Sequence, residues 1–178
     1  MLHTITVVLN NRFSPYGLVN GDLIGDICKK ASTSDPQLKY DFYVASLSEN
    51  PASKDADILR LGEISLQTCQ QNATSMDCLL VKLVFTEGKG KQDPKPYYPL
   101  KSCLGMYGGA IGFTNSAVYH FKIKDYNTTD TMLSAALVAP TECENRYKDS
   151  GLACPFTKEN GVFFQLIRIS LAIIHMVK

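Results

Sequence analysis

The chain has 178 residues, of which 45% are apolar and 20% are charged, with 18 Lys and Arg against 17 Asp and Glu. This length and apolar content predict a single domain over residues 1–178 with a buried core. The near balance of charge argues against binding to nucleic acid and against electrostatic docking on an anionic membrane, because both require a basic surface.

Strand-like patterns dominate the chain. Short segments of β-branched or aromatic residues, and segments of alternating apolar and polar residues, are typical of strands. In the clearest of them Tyr119, Phe121 and Ile123 alternate with polar residues, which predicts a strand that buries these three side chains. In chain order the predicted strands are residues 4–9, 23–28, 39–45, 79–85, 119–124, 131–139 and 162–174.

Helix signals are few, and turn signals lie between the strands. Residues 53–61 and 145–150 have the spacing of one or two helical turns. Glycine and proline mark a long exposed loop at residues 88–99 and a further turn region at residues 105–112. Together these patterns predict an all-β fold, an antiparallel Greek-key sandwich with one or two short helices.

The C-terminal run from residue 162 to 177 is the most apolar part of the chain. It contains Gln165, Arg168, Ser170 and His175, whereas a membrane span needs about 20 predominantly apolar residues. We therefore expect one or two buried strands here rather than a span. The first residues do not form a signal peptide, so a secreted protein would have had its signal removed.

Six cysteines and two glycosylation sequons predict a secreted glycoprotein. An even number of cysteines suits a disulfide framework, and disulfides persist in oxidising compartments. The sequons Asn72-Ala73-Thr74 and Asn127-Thr128-Thr129 become glycosylated on the secretory route. We expect all six cysteines to be paired: Cys28, Cys69, Cys78, Cys103, Cys143 and Cys154.

The chain has no recognisable catalytic or metal-binding pattern. Its three histidines, His3, His120 and His175, do not cluster with cysteines, and there is no Cys-x-x-Cys spacing. There is no Gly-x-Ser-x-Gly elbow, and the close pairs of carboxylates lie in polar segments typical of surface charge. These observations predict a protein that is not an enzyme and that uses no metal or cofactor.

Aromatic residues beside glycine and proline are the best candidates for a binding surface. Tyrosine and phenylalanine are frequent anchors of protein interfaces because they offer a large contact area with few rotatable bonds. The candidate partner-binding residues are Tyr97, Tyr98, Tyr107 and Phe113. They predict recognition of an extracellular protein or receptor, with packing over the ends of the sandwich as the alternative role.

Several segments carry a family resemblance in matching order. They are residues 10–13, residues 21–28, the stretch between Cys69 and Cys78, and residues 111–113 followed by the aromatic segment 118–123. These segments resemble the ephrin receptor-binding domain, a secreted Greek-key sandwich related to cupredoxins. The resemblance implies receptor binding through residues 119–133 or 105–113.

The same resemblance implies a disulfide pairing. Cys28 would join Cys78, Cys69 would join Cys143 or Cys154, and Cys103 would take the remaining cysteine. In the alternative, Cys69 and Cys78 close their own small loop.

A second resemblance gives the alternative function. Residues 152–156, Leu-Ala-Cys-Pro-Phe, followed by Lys158 and Gly161, resemble a segment of the ML lipid-recognition family of secreted sandwiches. It implies a carrier that encloses a hydrophobic molecule, a lipid or a pigment, between its sheets.

Overall fold

The computed structural model describes residues 23–87 and 95–178, and these residues are helical, with no strand among them. The prediction of an all-β sandwich is therefore wrong. One of the predicted strands, at residues 4–9, lies outside the described residues. The helices are α1 (Leu23–Ser34), α2 (Tyr40–Ser48), a short 3-10 turn (Pro51–Ser53), α3 (Ile58–Glu87), α4 (Tyr97–Lys122), α5 (Tyr126–Ala136), α6 (Val138–Asp149) and α7 (Thr157–Val177). Whether residues 1–178 form one domain stays a prediction.

The five later helices form a four-helix bundle. Helices α5 and α6 together make one of its four rods, with a break at Leu137 just before Pro140, whose ring nitrogen cannot donate a hydrogen bond. Helix α3 packs against α4 and α7, and both of those pack against the α5–α6 rod. The order around the bundle is therefore α3, α4, α5–α6, α7.

Buried side chains recur every three or four residues along the bundle helices and form its seam, the set of core positions. This spacing is that of coiled-coil packing, in which side chains of one helix enter gaps between those of the next. Many seam residues are small or polar rather than large and apolar. The α4 members are Leu100, Cys103, Tyr107, Ala110, Thr114, Ala117 and Phe121; those of α7 include Asn160, Phe163, Ile167, Ser170 and Ile174.

The predicted strand 119–124 shows why the alternation misled. Phe121 is buried, but Tyr119 and Ile123 are 62% and 55% exposed. Residues two apart share a face in a strand, whereas in a helix they point in nearly opposite directions and residues three or four apart share a face. The alternation therefore describes one buried ring between two exposed side chains.

The C-terminal run is a core helix, not a strand. Helix α7 is long and apolar enough to cross a membrane by composition, but half of its most apolar 18-residue window is buried within the protein. Its polar residues have partners: Gln165 accepts hydrogen bonds from the Tyr43 hydroxyl at 2.7 Å and from the Lys39 N–H at 3.2 Å, and donates to the Gln37 carbonyl at 2.9 Å. These bonds fasten the α1–α2 hairpin to the bundle.

All six cysteines lie within the described residues, and only two of them form a disulfide. The expectation that all six are paired is therefore wrong. Cys103 of α4 is bonded to Cys143 of α6, and both are fully buried in the seam. Burial raises the pKa of the free thiols of Cys28 and Cys69 to about 12. The unpaired cysteines are Cys28, Cys69, Cys78 and Cys154. The implied Cys28–Cys78 pair, the implied bond of Cys69 to Cys143 or Cys154 and the alternative Cys69–Cys78 loop are therefore all absent.

We expect four free thiols for each denatured, unreduced chain, and fast labelling of Cys78 alone in the folded protein. Cys78 is exposed, whereas a raised pKa and burial keep Cys28 and Cys69 protonated and shielded. A thiol titration with and without denaturant measures both numbers. Six protected cysteines in the denatured chain would contradict the single-disulfide structure.

We expect Phe121→Ala to lower the free energy of unfolding by about 3–5 kcal/mol through the cavity it leaves. Tyr119→Ala should change it by less than about 0.5 kcal/mol, because this ring is exposed. Urea unfolding of both variants measures the difference. Similar losses for the two rings would favour the strand prediction over the helix.

Candidate protein-binding site

One side of α4 points away from the seam and carries an unusual set of residues, which we call the outward face of α4. Its members follow the same three- and four-residue spacing as the seam but on the opposite side of the helix. Because α4 has 26 residues, this face is about 39 Å long. It consists of Tyr98, Gly105, Gly109, Gly112, Ser116 and Tyr119, and Ile123 directly follows the helix on the same side.

The glycines of the outward face serve no packing role inside the described protein. A Cβ atom added at Gly105 or Gly112 would meet no atom within 4 Å, and at Gly109 it would meet a ring carbon of Phe113 at 4.0 Å. By contrast, a Cβ at Gly62 of α3 would lie 2.7 Å from the Phe121 ring. Each glycine in a helix interior costs about 1 kcal/mol relative to alanine. The glycines of the outward face therefore lower the stability of the helix and leave its backbone uncovered. Another molecule can approach such a backbone closely.

A shallow apolar groove of about 320 Å³ runs beside this face, between α4 and the α5–α6 rod. The Phe113 ring is 39% exposed on one side of it, and Val138 is 55% exposed on the other. The remaining lining is small or flexible and offers no charged group: Gly105, Met106, Gly109, Ala110, Ala135 and Ala139. The groove can accept an apolar side chain of a partner.

Two predicted residues lie at the start of the same helix. Tyr98 is 67% exposed, and the half-buried Tyr97 contacts it edge to face, with ring centroids 6.3 Å apart. Lys101 follows on the next turn and is exposed. Tyr98 and Phe113 therefore lie on or beside the outward face, where a partner could contact both.

Tyr107 is a core residue and not the interface residue that the sequence predicts. Its side chain is fully buried, and its hydroxyl donates a hydrogen bond to Asn160 Oδ1 at 2.8 Å. Asn160 in turn donates to Glu144 Oε1 at 2.7 Å. Burial, together with the nearby Cys154 and Glu144, raises the pKa of Tyr107 well above its usual range. The ring links α4, α6 and α7 and is not available to a partner.

The described residues offer little catalytic chemistry. They contain no group of three or more His, Cys, Asp or Glu side chains that could hold a metal ion. His120 and His175 pair with Asp125 and Asp130 at the surface, at 3.2 Å and 2.9 Å. Burial and the neighbouring Glu144 raise the pKa of the Cys154 thiol to about 11, which keeps it protonated and weakly nucleophilic.

The two sequons lie on helices rather than loops. Asn72 is half-buried within α3, and Asn127 is exposed in the first turn of α5. Glycosylation of both stays a prediction.

The sequence contained a signal for the outward face that the strand interpretation did not use. Residues 105–112 were expected to form a turn because they are rich in glycine. Their spacing, with glycines at 105, 109 and 112, is that of one helix face.

The chain matches the family model described as plant invertase/pectin methylesterase inhibitor over residues 22–173. A putative invertase inhibitor of Platanus orientalis is 36% identical over 157 residues, which cover 88% of this chain and 90% of the relative. Pectinesterase inhibitor 12 of Arabidopsis thaliana is 38% identical over 155 residues, which cover 86% of this chain and 87% of the relative.

A solved structure has the same fold. The crystal structure of a pectin methylesterase inhibitor from Arabidopsis thaliana superposes with a TM-score of 0.61 over 90% of this chain and 99% of that one, at 22% identity. The ephrin-like, cupredoxin-like and ML resemblances are therefore wrong. The carrier alternative is unsupported as well, since seam side chains fill the interior of the bundle.

Three predictions from the sequence are confirmed by these matches. The protein is not an enzyme, it is secreted to the extracellular space, and it acts by binding another protein. The chain belongs to the plant invertase/pectin methylesterase inhibitor family.

Proposed function

We propose that this protein inhibits an extracellular invertase by binding it through the outward face of α4 and the adjoining groove. The observation that carries the choice of enzyme class is the match to the Platanus orientalis inhibitor, which is 36% identical over 157 residues and spans slightly more of both chains than the match to Arabidopsis pectinesterase inhibitor 12. A second relative from Platanus acerifolia, also called a putative invertase inhibitor, is 35% identical over 157 residues.

Pectin methylesterase is the second candidate target. It is favoured by the 38% identity to Arabidopsis pectinesterase inhibitor 12, which is slightly higher than the 36% and 35% identities to the two invertase inhibitors. The two targets catalyse different reactions, so one assay of each enzyme separates them.

The geometry supports binding through α4 for three reasons. The bare backbone at Gly105, Gly109 and Gly112 allows a partner to lie close against the helix. Exposed rings at Tyr98 and Tyr119 flank this bare stretch, and such rings commonly carry much of the binding energy of an interface. The groove beside Phe113 adds a place for an apolar side chain of the enzyme.

We expect the purified protein to inhibit a plant cell-wall invertase at a molar ratio near one, and a plant pectin methylesterase weakly or not at all. Residual activity measured over a range of inhibitor concentrations tests both enzymes together. Inhibition of the esterase alone would replace the first target by the second. If neither enzyme were bound or inhibited, the proposed function would be wrong.

We expect Tyr98→Ala to weaken inhibition by about 30-fold, the equivalent of about 2 kcal/mol, while leaving stability nearly unchanged. The matched control is Phe85→Ala, which removes a ring of similar exposure, 66%, from α3. Inhibition constants and thermal midpoints of both variants make the comparison. If Tyr98→Ala and Phe85→Ala changed inhibition equally, α4 would not be part of the binding site.

We expect Gly105→Ala and Gly112→Ala each to raise the free energy of unfolding by about 0.5–1 kcal/mol, since the added Cβ meets nothing and alanine favours the helix. The same substitutions should weaken inhibition, and Gly112→Leu should do so more strongly. Gly161→Ala in α7, where a Cβ also meets nothing, is the control that should stabilise without changing inhibition. Stabilised variants that inhibit as well as the parent would show that no partner approaches these glycines.

A further inference from the structure

A second groove, of about 260 Å³, lies on the other side of the bundle between α3 and the start of α7. Its apolar part consists of Met76 and Leu79 of α3 and Val162 of α7, with Leu79 37% exposed. Its polar part consists of Ser75, Lys158 and Glu159. Within the described residues none of these three side chains has a hydrogen-bond or ion-pair partner. The groove therefore presents apolar contacts and unused polar groups together.

Asn72 forms the edge of this groove and is also the acceptor of the first sequon. Its side chain is half-buried, and its amide makes no hydrogen bond to a described residue. Thr74, the third residue of the sequon, is exposed. Asn127 of the second sequon is exposed and lines none of the grooves described above.

We propose that Asn72 carries an N-linked glycan whose first N-acetylglucosamine lies in the α3–α7 groove. The sugar is transferred from a lipid-linked oligosaccharide diphosphate: a bond forms between Asn72 Nδ2 and sugar C1, the bond from C1 to the phosphate oxygen breaks, and Nδ2 loses one proton. Because the protein is secreted, its chain meets this donor on the way out of the cell.

The lining of the groove suits this sugar. Lys158 and Ser75 can donate hydrogen bonds to the N-acetyl carbonyl or to ring oxygens, and Glu159 can accept from a hydroxyl or from the acetamido N–H. Met76, Leu79 and Val162 can pack against the acetamido methyl group and the apolar face of the ring. The glycan would then replace water on these exposed polar groups and cover apolar surface that the helices leave open.

The position of the groove also bears on inhibitor binding. Because the helices follow the order α3, α4, α5–α6, α7 around the bundle, the α3–α7 groove is opposite the groove between α4 and the α5–α6 rod. A glycan on Asn72 therefore covers the side of the bundle away from the outward face of α4. It should stabilise the protein without obstructing the enzyme.

The test uses the Asn127→Gln variant, secreted from a host that makes high-mannose glycans, so that Asn72 is the one remaining sequon. Endoglycosidase H leaves the first N-acetylglucosamine in place, whereas peptide N-glycosidase F removes the whole glycan and converts Asn72 to Asp. We expect the endoglycosidase H product to keep the thermal midpoint of the untreated protein, and the fully deglycosylated product to melt about 2–4 °C lower. Inhibition of the target enzyme should be equal in all three forms.

The matched variants separate the sugar from the amino-acid changes. Thr74→Ser keeps the sequon and should keep the glycan and the midpoint, whereas Thr74→Ala should lose both. An Asn72→Asp variant shows the effect of the new carboxylate without any glycan. Mass spectrometry that finds no glycan on Asn72 would overturn the proposal. Equal melting of the endoglycosidase H and peptide N-glycosidase F products would also overturn it, because the first sugar would then make no contact with the groove.

Discussion

Close packing of small side chains along the seam is the constraint on which the rest of the structure depends. At the middle of α4 the seam consists of Ala110, Thr114 and Ala117, so the neighbouring helices approach its backbone closely. The disulfide between Cys103 and Cys143 lies in the same seam, with Cα atoms 4.8 Å apart, and holds α4 against α6 over a sequence separation of 40 residues. Closing a loop of that size removes about 3–4 kcal/mol of conformational freedom from the unfolded chain. Close packing and the covalent link together keep α4 in place although much of its sequence favours helix weakly.

The two sides of α4 therefore have opposite effects on stability. The seam side stabilises the bundle, while the glycines of the outward face would destabilise an isolated helix by about 1 kcal/mol each. Most helical stability in proteins comes from tertiary packing rather than from intrinsic propensity, and α4 is an extreme case of this rule. The proposed binding surface can have a bare backbone because the opposite side of the same helix is so well packed. The same relation explains why stability and inhibition are expected to change in opposite directions at these positions.

The sequence allowed a better prediction of the class of function than of the fold. Cysteines, sequons, balanced charge and the lack of catalytic patterns predicted a secreted, non-catalytic, protein-binding molecule, because these inferences depend on composition and chemistry.

The fold prediction failed because the helical period is carried partly by residues that are not obviously apolar, such as Thr114, Asn160 and Ser170. Apolar residues such as Tyr119 and Ile123 lie outside the core and create a false alternation.

The cysteine count misled for a related reason: Cys28 and Cys69 are buried as small apolar side chains and have no sulfur partner. Among the candidate interface residues, Tyr98 and Phe113 are accessible to a partner, whereas Tyr107 could not be distinguished from them without knowing which side of α4 it faces.

Polar residues within the seam fix how the helices are aligned. A core of small apolar side chains could slide by one helical repeat at little cost, because neighbouring layers are alike. The hydrogen bonds from Tyr107 to Asn160 and from Asn160 to Glu144 join α4, α7 and α6 in one layer, and a shift of any one helix would leave buried polar groups without partners. Gln165 has the same effect for the α1–α2 hairpin, since its side chain bonds to three different residues between 37 and 43. Because α4 and α6 are aligned in this way, Phe113 lies at a fixed position along the bundle axis, across the groove from Ala135 and Val138. The shape of the proposed binding surface thus depends on hydrogen bonds that lie behind it, between α4, α6 and α7.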